Sequence, residues 1–195
     1  IDGGGHSILI DETNQVYDLM DENGNPWRSH VGGTVVHGGH IWICNEGVHG
    51  EGNIFGELVG FALPTTTIGA QNKLHIMKRI IVDSRCSYVS KSLDQQSVCV
   101  GEFTYQGRTE YSVAAHHVID GAENTAWVAC YNTESIFTSA STSEYMLVSS
   151  VNVPIAEFAY LIGDGVQGFL LGSDCVVMSV SFGPGDSLIE YHDLS

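Results

Sequence analysis

The stretch from Gly32 to Phe61 limits what this chain can fold into more than any other. Nine of its 30 residues are glycine, and none is proline, lysine or arginine. A glycine in a helix interior costs about 1 kcal/mol relative to alanine, so a helix is disfavoured here. Between the glycines lie short runs of β-branched and aromatic residues, which are typical of strands. Glycine also permits the tight turns that such strands need. The stretch therefore predicts a β-rich fold.

The same alternation of short apolar runs and turns continues along the chain. Val16 to Met20 and Tyr145 to Val148 are predicted strands. Asn23-Gly24 and Gln106-Gly107 are dipeptides that favour two-residue hairpin turns. The one helix candidate begins at Pro154, because proline is favoured at the first helical position, and it ends at Ile162 before a glycine.

These patterns predict an all-β fold. We expect an antiparallel β-sandwich or barrel-like domain with many short strands and at most one short helix. Residues 1–195 form a single β-rich domain in this interpretation, with a candidate subdomain boundary near 64–72, where a polar, turn-like segment precedes a change in the sign of the charge.

The chain is strongly acidic. It has 7 basic and 23 acidic residues, and its formal charge is −16. So large a negative charge repels nucleic acid and anionic membrane surfaces. No run of about 18 apolar residues is present. We therefore expect no nucleic-acid partner and no membrane insertion.

Five cysteines constrain the redox chemistry. They are Cys44, Cys86, Cys99, Cys130 and Cys175, and no two have the C-x-x-C spacing of zinc-ribbon or thioredoxin-like motifs. Their apolar neighbours predict buried thiols that pack as small hydrophobic side chains. Cys86 with Cys99 is the one pair that we consider for a disulfide, because it would close a hairpin-sized loop.

Three histidines form the candidate metal site. His37, His40 and His49 lie within 13 residues, next to cysteine and glutamate side chains that also ligate transition metals. Residues i and i+3 of one strand face opposite sides, so His37 and His40 converge only if Gly38-Gly39 forms a bulge. No known zinc spacing is matched, and histidines at strand ends explain the pattern equally well. We expect no cofactor, with a divalent cation as the alternative.

Aromatic side chains are the candidate ligand-binding residues. Flat rings stack on sugars, but a β core needs the same residue types. Carboxylate pairs for glycoside hydrolysis meet in space rather than in sequence, so the sequence cannot single out such a pair. The candidates for a cell-surface glycan are Trp27, Trp42, Tyr105, Tyr111 and Trp127.

Three classes of function compete. The first is a non-enzymatic structural or adhesive β module, such as a viral or phage fibre, decoration or receptor-binding domain that self-assembles at an extracellular or virion surface. The second is a lectin-like carbohydrate-binding module, and the third is a secreted glycan hydrolase with a scattered site. The sequence favours the first, because it contains many short strands and no catalytic motif.

Self-assembly is expected to give a homo-oligomer, with a trimer favoured. The glycine-rich stretch carries more apolar surface than one face of a hairpin buries, and copies packed about an axis would cover it. A sandwich with a second buried face would hide the same residues within one chain. They are Val35, Ile41, Ile43, Ile54, Phe55, Leu58, Val59 and Phe61.

Overall fold

The structure is a computed structural model. It describes residues 7–10, 14–29, 31–49, 55–63, 72–104, 117–119, 122–124, 126–138, 145–148, 151–154, 158–162, 165–181 and 187–194. Within these ranges the chain forms 17 strands and one short helix. The strands are β1 (Ile8–Ile10), β2 (Val16–Met20), β3 (Thr34–His37), β4 (His40–His49), β5 (Phe55–Ala62), β6 (Lys73–Ile81), β7 (Tyr88–Lys91), β8 (Ser97–Gly101), β9 (His117–Ile119), β10 (Ala122–Asn124), β11 (Ala126–Asn132), β12 (Tyr145–Val148), β13 (Val151–Pro154), β14 (Phe158–Ile162), β15 (Val166–Leu171), β16 (Cys175–Ser181) and β17 (Ser187–Asp193). The helix is α1 (Thr133–Thr138).

The strands form three main sheets. A six-stranded sheet with the order β1-β2-β6-β5-β4-β3 curls into half a barrel. A four-stranded sheet has the order β14-β11-β8-β7, and a three-stranded sheet has the order β15-β16-β17. Two further pairs, β9 with β10 and β12 with β13, stand alone. The predicted all-β fold is confirmed.

One strand pairing departs from the antiparallel prediction. β2 and β6 run parallel, with Asp18 opposite Lys73, whereas every other pairing of described strands is antiparallel. Parallel neighbours need a long connection. Here that connection contains β3, β4 and β5, which together form the hairpins of the half-barrel.

The core lies in three layers. The inter-sheet cluster fills the space between the six-stranded and four-stranded sheets, and Trp42, Leu58 and Val100 belong to it. A second cluster lies between the four-stranded and three-stranded sheets, and a third fills the inside of the half-barrel. β8 and β11 are buried on both faces because they lie between two of these clusters.

β5 buries many of the apolar side chains of the glycine-rich stretch. Its residues from Phe55 to Phe61 are all buried, because Leu58 faces the inter-sheet cluster while Val59 and Phe61 face the inside of the half-barrel. The reason given above for a trimer is therefore wrong, since the single chain buries these side chains itself. The buried members of the set are Val35, Ile41, Ile43, Phe55, Leu58, Val59 and Phe61. Ile54 lies outside the described residues.

Two glycines face aromatic rings across the sheets. Gly60 is opposite Trp42, and a Cβ there would lie 2.9 Å from the indole. Gly101 is opposite Tyr88, and a Cβ there would lie 2.1 Å from the phenol ring. Glycine in a strand marks such a close approach. The rings lie flat over the neighbouring strand only because these positions have no side chain.

The predicted helix is wrong in position. Pro154 ends β13, and Phe158 to Ile162 form β14, which pairs with β11 over five residues. The helix in the structure is α1, where Asn132 Oδ1 accepts a hydrogen bond from the Ser135 backbone N–H at 3.1 Å. Asparagine at this position caps a helix N-terminus. Pairing with β11 makes residues 158–162 a strand, although Pro154 locally favours the start of a helix.

The predicted disulfide is also wrong. Cys99 bonds to Cys130, which lies directly opposite on the neighbouring strand β11. Cys86 instead lies before β7 and faces Cys44 in the inter-sheet cluster. The two halves of the disulfide are 31 residues apart in sequence, and only the pairing of β8 with β11 brings them together.

Two predictions fall on residues that the structure leaves undescribed. The hairpin turn at Gln106-Gly107 lies within 105–116, and all of the subdomain boundary near 64–72 except Asn72 lies within 64–71. In the ranges described above, no helix is long and apolar enough to cross a membrane.

Candidate functional site

The histidines of the candidate metal site lie at the tip of the β3–β4 hairpin. His37 and His40 are directly opposite each other, and Gly38 and Gly39 form the two-residue turn between them. Both glycines have positive φ, 57° and 75°, as a type I′ turn requires. Residues opposite each other on paired strands share a face. The prediction that only a bulge would bring these imidazoles together is therefore wrong, because a tight turn does so.

His37 has contacts on one face of its ring and at both ring nitrogens. The ring stacks on Phe137 with centroids 4.8 Å apart. Lys91 Nζ lies 3.4 Å from Nδ1, and Glu134 Oε1 lies 3.8 Å from Nε2. An ammonium group has only donors, so Lys91 donates to Nδ1 and the neutral ring carries its proton on Nε2. A metal ion at Nδ1 would have to displace the lysine.

His40 has the opposite tautomer. Its Nδ1 lies 2.8 Å from the carbonyl oxygen of Gly38. A carbonyl only accepts, so Nδ1–H donates and the lone pair is on Nε2. This is the arrangement in which histidines bind metals. Of the two histidines at the tip of the β3–β4 hairpin, His40 has the tautomer and the free Nε2 lone pair that a metal ligand needs.

His49 is too far away to complete the site. It lies on β4, nine residues beyond His40, and its backbone is opposite Phe55 of β5, at the other end of β4. Strands rise about 3.3 Å per residue, so the two backbones are on the order of 30 Å apart. The structure therefore brings together His37 and His40 but not His49. Among the side chains that the structure describes, no three of His, Cys, Asp and Glu form a metal-binding group.

The tryptophans do not form one surface. Trp27 is 6% exposed and packs on Phe61 inside the half-barrel, with centroids 5.4 Å apart. Trp42 is 1% exposed and lies on the other face of the sheet, in the inter-sheet cluster, 4.7 Å from Phe137. Trp127 is half-buried at the edge of that cluster. Tyr105 and Tyr111 lie outside the described residues, and ligand binding by these aromatics stays a prediction.

Two carboxylates are buried inside the sheets. Glu57 is 2% exposed, and it accepts hydrogen bonds from Asn45 Nδ2 at 2.7 Å and from Arg79 Nη1. Arg79 also donates from Nε and Nη2 to Glu22, at 2.5 and 3.2 Å, and these bonds lower the pKa of the Glu22 carboxyl below its usual value. The guanidinium thus ties the turn after β2 to strands β5 and β6. A glycan could not reach Glu57 at this site without opening the sheet.

Glu102 has a similar structural role. It is 1% exposed, and its two carboxylate oxygens accept backbone N–H groups from Arg85 and Trp127, each at 3.2 Å. The carboxylate links the segment after β6 to β11. Buried polar groups are normally hydrogen-bonded, and these two bonds satisfy the buried carboxylate. Neither network was predicted from the sequence, because the partners are far apart in the chain.

β17 is the unusual surface of the molecule. It is the edge of the three-stranded sheet, and none of its seven residues is buried. Ile189 is 73% exposed and Tyr191 65%, and Leu188 is also exposed. On β16 the residues opposite Leu188 and His192 are buried valines of the second cluster. The buried valines of β16 therefore cover the second cluster, and β17 lies beyond the edge of that cluster.

Comparison with known proteins gives no relative. No protein-family model, no curated protein and no solved structure matches this chain. Its function is therefore inferred from contacts, burial and charge alone.

Proposed function

We propose that this chain is a non-enzymatic structural or adhesive β module that self-assembles through β17 at an extracellular or virion surface. The observation that carries the proposal is that β17 buries none of its side chains in its own chain, although three of them are large and apolar. An exposed apolar edge strand is a template for pairing with another strand. A second copy of the same chain is the partner that fits it.

Self-pairing of β17 has a favourable antiparallel register. A two-fold axis through Tyr191 places the two Tyr191 rings opposite each other. It also places Glu190 opposite His192 of the second copy, twice, and Leu188 opposite Leu194. In the single chain His192 Nε2 already lies 3.2 Å from Glu190 Oε2, so these groups are complementary. Aromatic pairs and pairs of hydrogen-bonding side chains directly opposite each other stabilise a sheet. The contact is isologous and closes as a dimer.

The charge of the chain sets the conditions for assembly. Each copy carries a formal charge of −16, so two copies repel each other at long range. Salt screens this repulsion, since the Debye length falls to about 10 Å at 0.1 M. Assembly should therefore strengthen between low and moderate ionic strength. A trimer, the order favoured by the sequence, would need a contact other than this two-fold pairing, and the measured mass distinguishes the two.

The disulfide supports the surface location. Cys99–Cys130 joins two buried strands of the four-stranded sheet. Disulfides form and persist in oxidising environments and are rare in reducing ones. An extracellular or virion-surface protein meets that condition.

The test compares two lysine variants by sedimentation equilibrium at micromolar concentration. Tyr191→Lys should weaken association by about tenfold or more, because it replaces an aromatic pair with two like charges across the axis. Ile189→Lys should be tolerated, because the same register places residue 189 opposite Asp193 of the second copy. Both residues are exposed in the single chain, so neither change disturbs its core.

Met77→Lys is the matched control. Met77 is 63% exposed and lies on β6, which is paired on both sides, so the change adds the same charge away from β17. It should leave the mass unaltered. A wild-type monomer at low and moderate ionic strength, or a Tyr191→Lys variant that assembles as the wild type does, would contradict the proposal.

A further inference from the structure

Two buried thiols face each other in the inter-sheet cluster. Cys44 on β4 and Cys86 before β7 are both 0% exposed, and their sulfur atoms are 3.1 Å apart. They are 42 residues apart in sequence and join two segments that are not neighbours in any sheet. A disulfide bond is about 2.0 Å long, so the sulfurs need to approach by only about 1.1 Å to form one.

The backbone around Cys86 is fixed in an uncommon conformation. Its φ is +60°, a region that residues other than glycine rarely occupy. The Cys86 N–H donates to Ser84 Oγ at 3.2 Å, and the Ser87 N–H donates to the carbonyl of Gly101 at 2.8 Å. Sparsely populated conformations that the surroundings hold in place are concentrated at functional sites. Here the conformation directs the Cys86 thiol at Cys44.

Gly56 permits the close approach of the segment that carries Cys86. A Cβ on Gly56 would lie 2.5 Å from Cys86 Cβ and 2.1 Å from the Arg85 carbonyl oxygen. The Gly56 N–H also donates to the carbonyl of Ser84 at 2.6 Å. β5 therefore packs closely against this segment. Cys86 cannot move away from Cys44 without breaking these contacts.

We propose that Cys44 and Cys86 form a second disulfide site, which oxidises by exchange with a small-molecule disulfide. One thiolate of the pair attacks a sulfur of the oxidant, which releases one thiol and leaves a mixed disulfide. The other cysteine attacks the protein sulfur of that mixed disulfide, which releases the second thiol. The two protons of the pair end on the two released thiols, and the two electrons reduce the S–S bond of the oxidant.

The site is slow to react once the protein is folded. Burial raises the pKa of the Cys44 thiol well above its usual value, so little thiolate is present, and the thiolate is the attacking species. Oxidation is therefore fast during folding or local opening and slow in the closed structure. The same burial protects the finished bond from reductants. Once the second disulfide has formed, Cys175, which is half-buried, is the one cysteine left as a free thiol.

Peptide mapping of the full wild-type chain tests the site directly. Protein refolded in a buffer of oxidised and reduced glutathione is alkylated in denaturant, digested without reductant and analysed by mass spectrometry. We expect a peptide that links Cys44 to Cys86, a peptide that links Cys99 to Cys130, and alkylation of Cys175 alone. Alkylation of both Cys44 and Cys86, or a link between Cys86 and Cys99, would overturn the proposal.

Thermal unfolding gives a second readout. Oxidation of the pair should raise the midpoint of wild-type unfolding by about 5 °C beyond the rise that Cys99–Cys130 contributes. Cys44→Ala should lose this extra rise, whereas Cys175→Ser should keep it. The mapping needs no variant, so the proposal stays testable even where Cys44→Ala fails to fold. An equal rise in the wild type and Cys44→Ala would contradict the second bond.

Discussion

Replacing Trp42 with alanine is expected to lower the free energy of unfolding by about 4 kcal/mol. The indole is 1% exposed, lies over Gly60 and contacts the ring of Phe137, so its removal leaves a cavity between two sheets. The six-stranded sheet lies on one side of this cavity and Phe137 of α1 on the other, and strand pairing holds the sheet in place. Urea unfolding followed by circular dichroism measures the change.

Leu93→Ala is the control for this prediction. Leu93 is an exposed apolar residue in the turn between β7 and β8, and its truncation should change the free energy of unfolding by less than about 0.5 kcal/mol. If Trp42→Ala were as stable as Leu93→Ala, Trp42 would not be a core residue. The interpretation of Trp42 as part of a sugar-binding surface would then regain support.

Arg79→Met is expected to lower the free energy of unfolding by about 3 kcal/mol. The change takes the guanidinium away from the buried carboxylate of Glu57, which keeps its hydrogen bond from Asn45, and it releases Glu22, in the turn after β2, from β6. The estimate is at the low end of the range for buried pairs, because the Arg79 side chain is about a third exposed. Lys78→Met, an exposed change on the same strand, should have little effect.

A double-mutant cycle separates the charge from the shape of this site. Glu57→Gln in the Arg79→Met background removes the buried negative charge that has lost its guanidinium and should recover about 2 kcal/mol. Glu57→Gln alone should destabilise the protein, because it weakens the bond to Arg79. Additive effects of the two changes would show that the ion pair contributes nothing beyond packing.

Local sequence patterns predicted most of the strands correctly. β2 at Val16–Met20 and β12 at Tyr145–Val148 have the predicted bounds, because their β-branched and aromatic residues are flanked by turn-forming residues. The turn at Asn23-Gly24 was readable in place but not in type: only Gly24 has positive φ, +82°, and the loop closes between Asp21 and Asn25 rather than over two residues. These features depend on a few neighbouring residues.

Features that depend on distant residues could not be read from the sequence. Cys99 meets Cys130, and Glu57 meets Arg79, only because their strands are neighbours. The apolar residues of β5 were attributed to an interface because the sequence does not reveal that β5 has a core on each face.

The candidate sites show the same limit. His37 and His40 come together through a turn that the HGGH sequence permits but does not require, whereas a bulge was the predicted route. The exposure of the apolar residues of β17 could not be read from the sequence, because it depends on how far the second cluster extends beneath the three-stranded sheet.

Amide hydrogen exchange at two protein concentrations tests the self-assembly of this chain through β17 most directly. The outward-facing N–H groups of this edge strand have no strand partner among the described strands, and in the proposed assembly they would donate to the second copy. We expect peptides that cover Ser187–Asp193 to exchange more slowly at high than at low concentration in wild-type protein, and equally fast at both in Tyr191→Lys. Exchange of these peptides that does not depend on concentration, at concentrations where the wild-type protein is associated, would contradict assembly through β17.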